Sequence, residues 1–209
     1  MPFALLLELL NYVGSAAFAT AGALTASRKQ MDPVGFILIA ALTAFGGGSL
    51  RDVLLGRPVA WLGSPGPALM VAVVAIAVFF FAHRFERRTV PLLWADAVGM
   101  ALFAVLGAEA AIGEGASPWA AILLGTITAT FGGALRDVVC GEVPLILRKE
   151  IYATAAALGA ALFVALHMAG VPRDAAVVAG MSAAFALRAA ALWRGWSLPA
   201  YKARPGRDY

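Results

Sequence analysis

The sequence predicts an all-α membrane protein of seven transmembrane helices, and three observations lead to this prediction. Of the 209 residues, 62% are hydrophobic and 13% are charged, and the mean hydropathy is +0.85. A soluble domain of this size carries roughly twice that share of charge. The apolar residues fall into seven runs long enough to cross a bilayer. The third observation is an internal repeat of three such runs.

The seven predicted spans are separated by short polar segments. Pro33 and Pro118 stand at the first turn of the second and fifth spans, where a missing N–H costs no hydrogen bond. The first span lacks the basic residues that open a signal peptide, and it has a copy later in the chain, so we expect it to belong to the fold. The predicted spans are residues 3–26, 33–50, 66–82, 90–106, 118–135, 151–168 and 175–193.

The chain matches itself without a gap when it is shifted by 85 residues. Pro33 falls on Pro118, and residues 47–53 (GGSLRDV) fall on residues 132–138 (GGALRDV). Because each unit holds three helices, the second copy enters the membrane from the opposite side, as in the inverted repeats of transporters and some channels. The expected units are repeat one at about 3–83, repeat two at about 90–168 and helix seven at about 173–194. Together they form one membrane domain, 1–195, followed by a tail, 196–209.

Lysine and arginine are distributed unevenly between the two sides of the predicted bundle. Twelve fall on the side of the C-terminus and three, Arg51, Arg57 and Arg173, on the side of the N-terminus, while Arg188 lies inside the last helix. The positive-inside rule then places the C-terminus in the cytoplasm and the N-terminus outside.

Glycines near the ends of the second and fifth helices are the first functional candidates. Helix two carries Gly46, Gly47 and Gly48, and helix five carries Gly132 and Gly133. Glycines weaken a helix, and at membrane depth they are tolerated beside a cavity or against a neighbouring helix. We predict a kink or unwound point in both helices, where free backbone groups would meet an ion or small solute.

Two Arg-Asp pairs follow these glycines within one turn, Arg51-Asp52 and Arg136-Asp137. Ionisable groups at membrane depth are costly and mark a pathway or a structural pair. One interpretation is that each arginine snorkels to the headgroups and each aspartate caps the next segment. Because the pairs recur beside glycines in both repeats, we favour a role in a pore or its gate.

Other polar residues have two interpretations each. Asn11 and Asp96, related by the repeat, either line the pathway or form hydrogen bonds between helices. Thr43 and Thr128 either line the same route or bond back to their own helices. Cytoplasmic basic residues either orient the protein, which we favour, or bind anionic lipid headgroups. These basic residues are Arg84, Arg87, Arg88, Arg148 and Lys149.

Several functional classes are not expected. The single cysteine, Cys140, forms no internal disulfide, and the two histidines lie far apart, so we expect no structural metal site. The sequence has no nucleotide-binding loop and no nucleophile elbow. We therefore expect no enzymatic activity, no nucleic-acid partner, and no cofactor beyond a permeant ion and bound lipid.

The segments 45–52 (FGGGSLRD) and 131–137 (FGGALRD), set in an inverted three-plus-three repeat, resemble the prokaryotic trimeric intracellular cation (TRIC) channel family. This bacterial family is also described as glycine-transporter-like, and the similarity covers residues 3–195. The resemblance implies a homotrimer in a prokaryotic inner membrane, with an hourglass pore for monovalent cations, chiefly potassium, in each subunit. It also implies that the glycines kink helices two and five, and that Arg51 and Arg136 lie at the pore mouth or gate.

A cation pore beside arginines poses an electrostatic problem, since rings of carboxylates favour cations and rings of arginine favour anions. Either Asp52 and Asp137 neutralise their neighbours, or an arginine occludes the pore and moves with the membrane potential. The first functional hypothesis is a potassium channel. The alternative is a secondary transporter of a small zwitterion such as glycine. A membrane protein with a purely structural role is the third.

Overall fold

The computed structural model describes residues 3–84, 89–199 and 201, and this part of the chain forms seven α-helices. Six of them are long and apolar enough to cross a membrane, while the sixth in order has 16 residues and is shorter. The predicted all-α membrane fold is confirmed. The helices are α1 (Phe3–Arg28), α2 (Pro33–Leu54), α3 (Pro65–Phe81), α4 (Thr89–Gly113), α5 (Pro118–Val139), α6 (Ala153–Met168) and α7 (Arg173–Arg194).

The glycine-rich segments do not interrupt their helices. Both α2 and α5 remain helical through the glycines at 46–48 and 132–133 and through the Arg-Asp pairs that follow. Of the two predicted alternatives, an unwound point is therefore wrong for this structure, and a kink stays a prediction. Gly47 and Gly132 are needed for packing instead, because side chains at these two positions would block the contact between the two helices.

The helices α2 and α5 cross in direct backbone contact. A Cβ atom on Gly47 would overlap the carbonyl oxygen of Thr128, and a Cβ atom on Gly132 would overlap the carbonyl oxygen of Thr43. The two contacts are related by the same 85-residue shift as the sequence repeat. The crossing therefore lies on the local two-fold axis that relates the inverted repeats.

Helix ends collect at two opposite faces of the bundle. We call them the N-terminal face, where α1 and α7 begin, and the C-terminal face, where they end. At the N-terminal face Arg57 Nη1, beyond the end of α2, lies 3.3 Å from Glu114 Oε1, beyond the end of α4. At the C-terminal face Lys29 Nζ lies 3.5 Å from Glu142 Oε1, which also accepts a hydrogen bond from Arg28.

These two ion pairs, which we call the corner pairs, are equivalent by the repeat but opposite in sign. The 85-residue shift relates the basic Lys29 to the acidic Glu114, and the basic Arg57 to the acidic Glu142. The pair Lys29–Glu142 is therefore equivalent to the pair Glu114–Arg57, with the charges reversed. Each pair joins the loop before one of the crossing helices to the segment after the other. The corner pairs therefore tie both ends of the α2–α5 crossing.

The helix outside the repeat, α7, packs against α4 and α6. Near the N-terminal face Arg173 Nη2 lies 2.6 Å from Glu109 Oε1 of α4. Near the C-terminal face the buried Arg188 lies 2.6 Å from Glu150 Oε2, just before α6. Beyond α7, the N–H of Leu198 donates to the carbonyl oxygen of Lys149 at 2.7 Å. Polar contacts thus fix α7 at both ends against the second repeat.

We predict that Gly47→Ala lowers the stability of the fold by about 1–3 kcal/mol, the usual cost of forcing an extra group into a packed contact. The matched control is Gly48→Ala, since a Cβ there would meet only Arg51 Nη2, at 3.8 Å. Thermal unfolding of the detergent-purified variants measures the difference. Equal melting temperatures for the two variants would contradict the close backbone crossing.

Candidate functional site

Arg51 and Asp52 form a buried ion pair in the last turns of α2. Arg51 Nε and Nη2 lie 2.9 and 2.8 Å from Asp52 Oδ1, and the two side chains are 10% and 1% exposed. The other oxygen, Asp52 Oδ2, accepts a hydrogen bond from the N–H of Ala60 at 2.9 Å. One carboxylate thus neutralises the arginine and holds the start of the 3-10 helix Ala60–Gly63.

The second repeat reproduces this arrangement in α5. Arg136 Nε donates to Asp137 Oδ1 at 2.8 Å, and Asp137 Oδ2 accepts from the N–H of Leu145 at 3.0 Å. Leu145 opens the 3-10 helix that corresponds to the one after α2. The aspartates therefore cap the next segment and pair with the arginines, which were two of the possibilities that the sequence left open. The snorkelling of both arginines is wrong, because Arg51 and Arg136 are buried.

The two repeats differ in the other polar group near the buried arginine. Arg136 Nη1 lies 2.9 Å from Asp96 Oδ1 of α4, and both side chains are fully buried. Asp96 Oδ2 has no hydrogen-bond partner among the described residues. The counterpart of Asp96 is Asn11, which is exposed. The two matched polar residues therefore differ in their surroundings: Asp96 joins α4 to α5, and the exposed Asn11 borders a cavity beside Arg51.

A cavity of about 80 Å³ lies beside the first pair, and we call it the N-terminal cavity. One wall is Trp61, whose indole N–H donates to Ser49 Oγ at 2.9 Å and whose ring stacks on Phe45 at 4.9 Å between centroids. The cavity thus offers a guanidinium, an amide and a hydroxyl within an aromatic wall. Its polar lining consists of Asn11, Ser15, Arg51 and Asp52, next to Gly48.

The equivalent space in the second repeat is filled. Tyr152, at the position of Pro67 in the first repeat, is 1% exposed. A Cβ atom on Gly133 would lie 3.3 Å from the Tyr152 hydroxyl oxygen and 3.4 Å from Asp96 Oδ1. A separate cavity of about 40 Å³, lined in part by Arg136, Asp137, Arg28 and Glu142, lies towards the C-terminal face.

The two repeated threonines have a packing role in this structure. Thr43 Oγ1 donates to the carbonyl oxygen of Ile39 at 2.7 Å, and Thr128 Oγ1 donates to that of Leu124 at 2.6 Å. Both side chains are buried, and Thr43 Oγ1 lies against Gly22 of α1. Of the two interpretations, bonding to the same helix is the one the structure shows.

Comparison with known proteins agrees with this geometry. The Glycine transporter family model matches residues 8–83 and 93–168, two copies separated by the same 85 residues. The UPF0126 inner membrane protein YadS of Escherichia coli K12 is 36% identical over 197 residues, covering 92% of this chain and 94% of YadS. The chain also matches two solved TRIC structures.

The first of these is the TRIC trimeric intracellular cation channel orthologue from Rhodobacter sphaeroides, with 54% identity and a TM-score of 0.89 over 91% of this chain and 99% of that chain. The second is a prokaryotic TRIC channel crystallised in 0.5 M KCl, with 32% identity and a TM-score of 0.88 over 93% and 99%. The chain belongs to the prokaryotic TRIC channel family. In this TRIC family member, the inverted repeat seen in the sequence is the family architecture.

Three of the basic residues considered for lipid contact, Arg84, Arg148 and Lys149, lie at the C-terminal face of this TRIC protein. Arg84 stacks over Phe81, with 5.1 Å from its guanidinium carbon to the ring centroid. Arg148 donates to the carbonyl oxygen of Val143 at 2.9 Å, and Lys149 is exposed. Arg87 and Arg88 lie outside the described residues. Lipid contact therefore stays a prediction.

Sequence reasoning missed three residues of the TRIC site, Tyr152, Glu150 and the corner residue Glu142. Matches between the repeats point only to shared residues, whereas these three lie at positions where the repeats differ. Tyr152 replaces a proline, and Glu142 stands where the first repeat has Arg57. A comparison of the differences would have found both.

Cys140 is buried, and burial raises the pKa of its thiol, so it is not a reactive thiolate.

We predict that Asp137→Ala destabilises the protein by about 3–5 kcal/mol, because it leaves a buried arginine short of its partner and frees the N–H of Leu145. Asp96→Asn should cost much less, since Arg136 keeps Asp137 and the site then resembles Arg51 with Asn11. Melting temperatures and the yield of folded protein in detergent measure both changes. A larger loss from Asp96→Asn than from Asp137→Ala would be inconsistent with this ranking.

Proposed function

We propose that the protein is a cation channel of a prokaryotic inner membrane, permeable to monovalent cations and chiefly to potassium. In this proposal it works as a homotrimer with one pathway in each subunit and with membrane lipids around it. Family membership supports it, since the matched structures are described as TRIC cation channels and YadS as an inner membrane protein. An enzymatic role has no support in these relatives.

The observation that carries the proposal is the pair of buried Arg-Asp clusters on either side of the α2–α5 crossing. A buried ionisable group in a membrane helix is costly, and it is kept where a pathway passes or a structure needs it. The first cluster borders a cavity, and the second borders a space that one side chain fills. We place the pathway along α2 and α5, from the N-terminal cavity at Gly48 to the second cluster at Gly133.

The buried arginines alone would disfavour a permeating cation. The carboxylates paired with them offset this positive charge. In the first cluster Asp52 pairs with Arg51 at 2.8 Å and with Arg57 at 3.4 Å, and Glu114 is the second carboxylate that pairs with Arg57, so the two arginines are matched by two carboxylates. In the second cluster Arg136 faces both Asp96 and Asp137, which gives one excess negative charge when both carboxylates are ionised. Carboxylates at a narrow point favour cations over anions. The electrostatic problem of an arginine-lined cation pore is thereby reduced.

We also propose the orientation that the basic residues favour. The C-terminal face, which carries Arg28, Lys29, Arg148 and Lys149, is cytoplasmic under the positive-inside rule. The N-terminal cavity then opens towards the outside, and the filled site with Tyr152 lies towards the cytoplasm.

A second candidate function is transport of a small zwitterion such as glycine. The N-terminal cavity favours it, since Arg51 in a confined polar space suits a carboxylate. The description of the matching family model as Glycine transporter points the same way. This candidate predicts saturable uptake and no unitary currents.

Recording from the purified protein in planar bilayers under a KCl gradient tests the proposal. We predict discrete openings whose current reverses near the potassium equilibrium potential, because the excess carboxylate favours cations. Liposomes made from the same preparation measure uptake of labelled glycine in parallel. Silent bilayers together with saturable glycine uptake would reject the channel and support the transporter.

A further prediction concerns the N-terminal cavity. Gly48→Leu places a side chain in this cavity and should lower the unitary conductance, because the cavity holds only about 80 Å³. Gly63→Leu is the control, since a Cβ on Gly63 meets nothing within 4 Å and the residue does not line the cavity. An unchanged conductance in folded Gly48→Leu would place the pathway elsewhere.

A further inference from the structure

The two repeats differ most where they build the surroundings of the buried arginines. Four residues line the N-terminal cavity, and their counterparts in the second repeat converge on a site without a comparable space. One repeat is therefore open at this level and the other is closed. The four cavity residues are Asn11, Gly48, Arg51 and Pro67, and their counterparts are Asp96, Gly133, Arg136 and Tyr152.

Tyr152 accounts for the closure. Its side chain is completely buried, and its hydroxyl oxygen would lie 3.3 Å from a Cβ on Gly133. Pro67, its counterpart, has no group that reaches so far, and the cavity in the first repeat remains. The Tyr152 hydroxyl thus lies beside Gly133 of α5 together with the Asp96 carboxylate of α4, on the route that the proposed pathway follows.

The tyrosine is held mainly by Arg188 of α7. The Arg188 guanidinium carbon lies 5.1 Å from the ring centroid of Tyr152, which is a cation–π distance. Arg188 in turn donates to Glu150 Oε2 at 2.6 Å and to the carbonyl oxygen of Ile151 at 3.1 Å. The hydroxyl of Tyr152 also interacts with the Asp96 carboxylate, and it makes a long hydrogen bond, 3.5 Å, to the carbonyl oxygen of Ala129.

Two buried polar atoms at the closed site lack a hydrogen-bond partner among the described residues. These atoms are Asp96 Oδ2 and Arg188 Nε. Unpaired buried polar atoms are costly, and water reaching them would remove that cost. Displacement of the Tyr152 ring admits water to this site, so the closed arrangement has a hydrated competitor.

We propose that Tyr152 is the plug that closes the second-repeat half of the pathway, and that Arg188 is the positioning residue that keeps it in place. This inference rests on the proposed function for the route that the plug closes. Helix α7, which lies outside the inverted repeat, then controls the balance between closed and open states through a single guanidinium. The first repeat has no equivalent of α7 and no equivalent plug.

Single-channel recording of variants of the full chain tests the plug. Arg188→Met should raise the open probability about two- to thirtyfold, the equivalent of losing one cation–π contact. Tyr152→Ala should raise it further, and Tyr152→Phe, which keeps the ring, should restore closure. Arg194→Met, on the exposed last turn of α7, is the control and should behave as the unmodified chain.

A double variant tests whether Arg188 acts by positioning Tyr152 or whether its loss loosens the helix packing in general. If Arg188 acts through Tyr152, Arg188→Met adds nothing in a Tyr152→Ala background. An equal increase in both backgrounds overturns the positioning role. If Tyr152→Ala does not fold, Tyr152→Leu takes its place, and a folded variant that opens no more often than the unmodified chain overturns the plug.

Thiol labelling tests the plug without requiring conduction. In a Cys140→Ser background, Gly133→Cys places a thiol beneath the Tyr152 hydroxyl, and a water-soluble methanethiosulfonate reagent measures its accessibility. We expect slow labelling with Tyr152 present and at least tenfold faster labelling with Tyr152→Ala. Silent bilayers with this acceleration would reject the channel and retain the plug, whereas equal labelling rates would reject the plug even in a conducting protein.

Discussion

The approach of α2 and α5 to backbone contact is the constraint on which the rest of the structure depends. A carbonyl oxygen of each helix, from Thr43 and Thr128, occupies the space that a side chain would take on the other. Only glycine fits at 47 and 132, and the contact places the two Arg-Asp pairs at opposite ends of one crossing. The position of both clusters, and of the cavity beside the first, follows from this single contact.

The buried arginines are stable in this bundle because each has a carboxylate next to it in the chain. Arg51 and Asp52, like Arg136 and Asp137, are consecutive residues, so the ion pair forms within one helical turn and does not depend on the packing of distant helices. The second oxygen of each aspartate binds the backbone eight residues later. The Arg-Asp motif therefore pairs the buried arginine with a carboxylate and also anchors the backbone of the segment that follows the helix.

Much of the fold could be predicted from the sequence, since lipid imposes span length and apolar composition on every helix. The repeat was visible because Pro33, the glycines and the Arg-Asp pairs recur in register. The unwound helices were predicted wrongly, because the sequence does not distinguish a glycine that breaks a helix from one that packs against a neighbour. The burial of Tyr152 could not be predicted, since it comes from contacts with residues distant in the chain, among them Arg188 in a helix outside the repeat.

The corner pairs have a consequence for how the two halves recognise each other. Two copies of the first repeat would bring Lys29 against Arg57 at both corners, and two copies of the second would bring Glu114 against Glu142. Either symmetric assembly places like charges together, while the mixed assembly joins opposite charges at both ends. The corner charges are reversed between the two repeats. Each repeat is therefore electrostatically complementary to the other repeat and would repel a second copy of itself, which favours pairing between the two different halves.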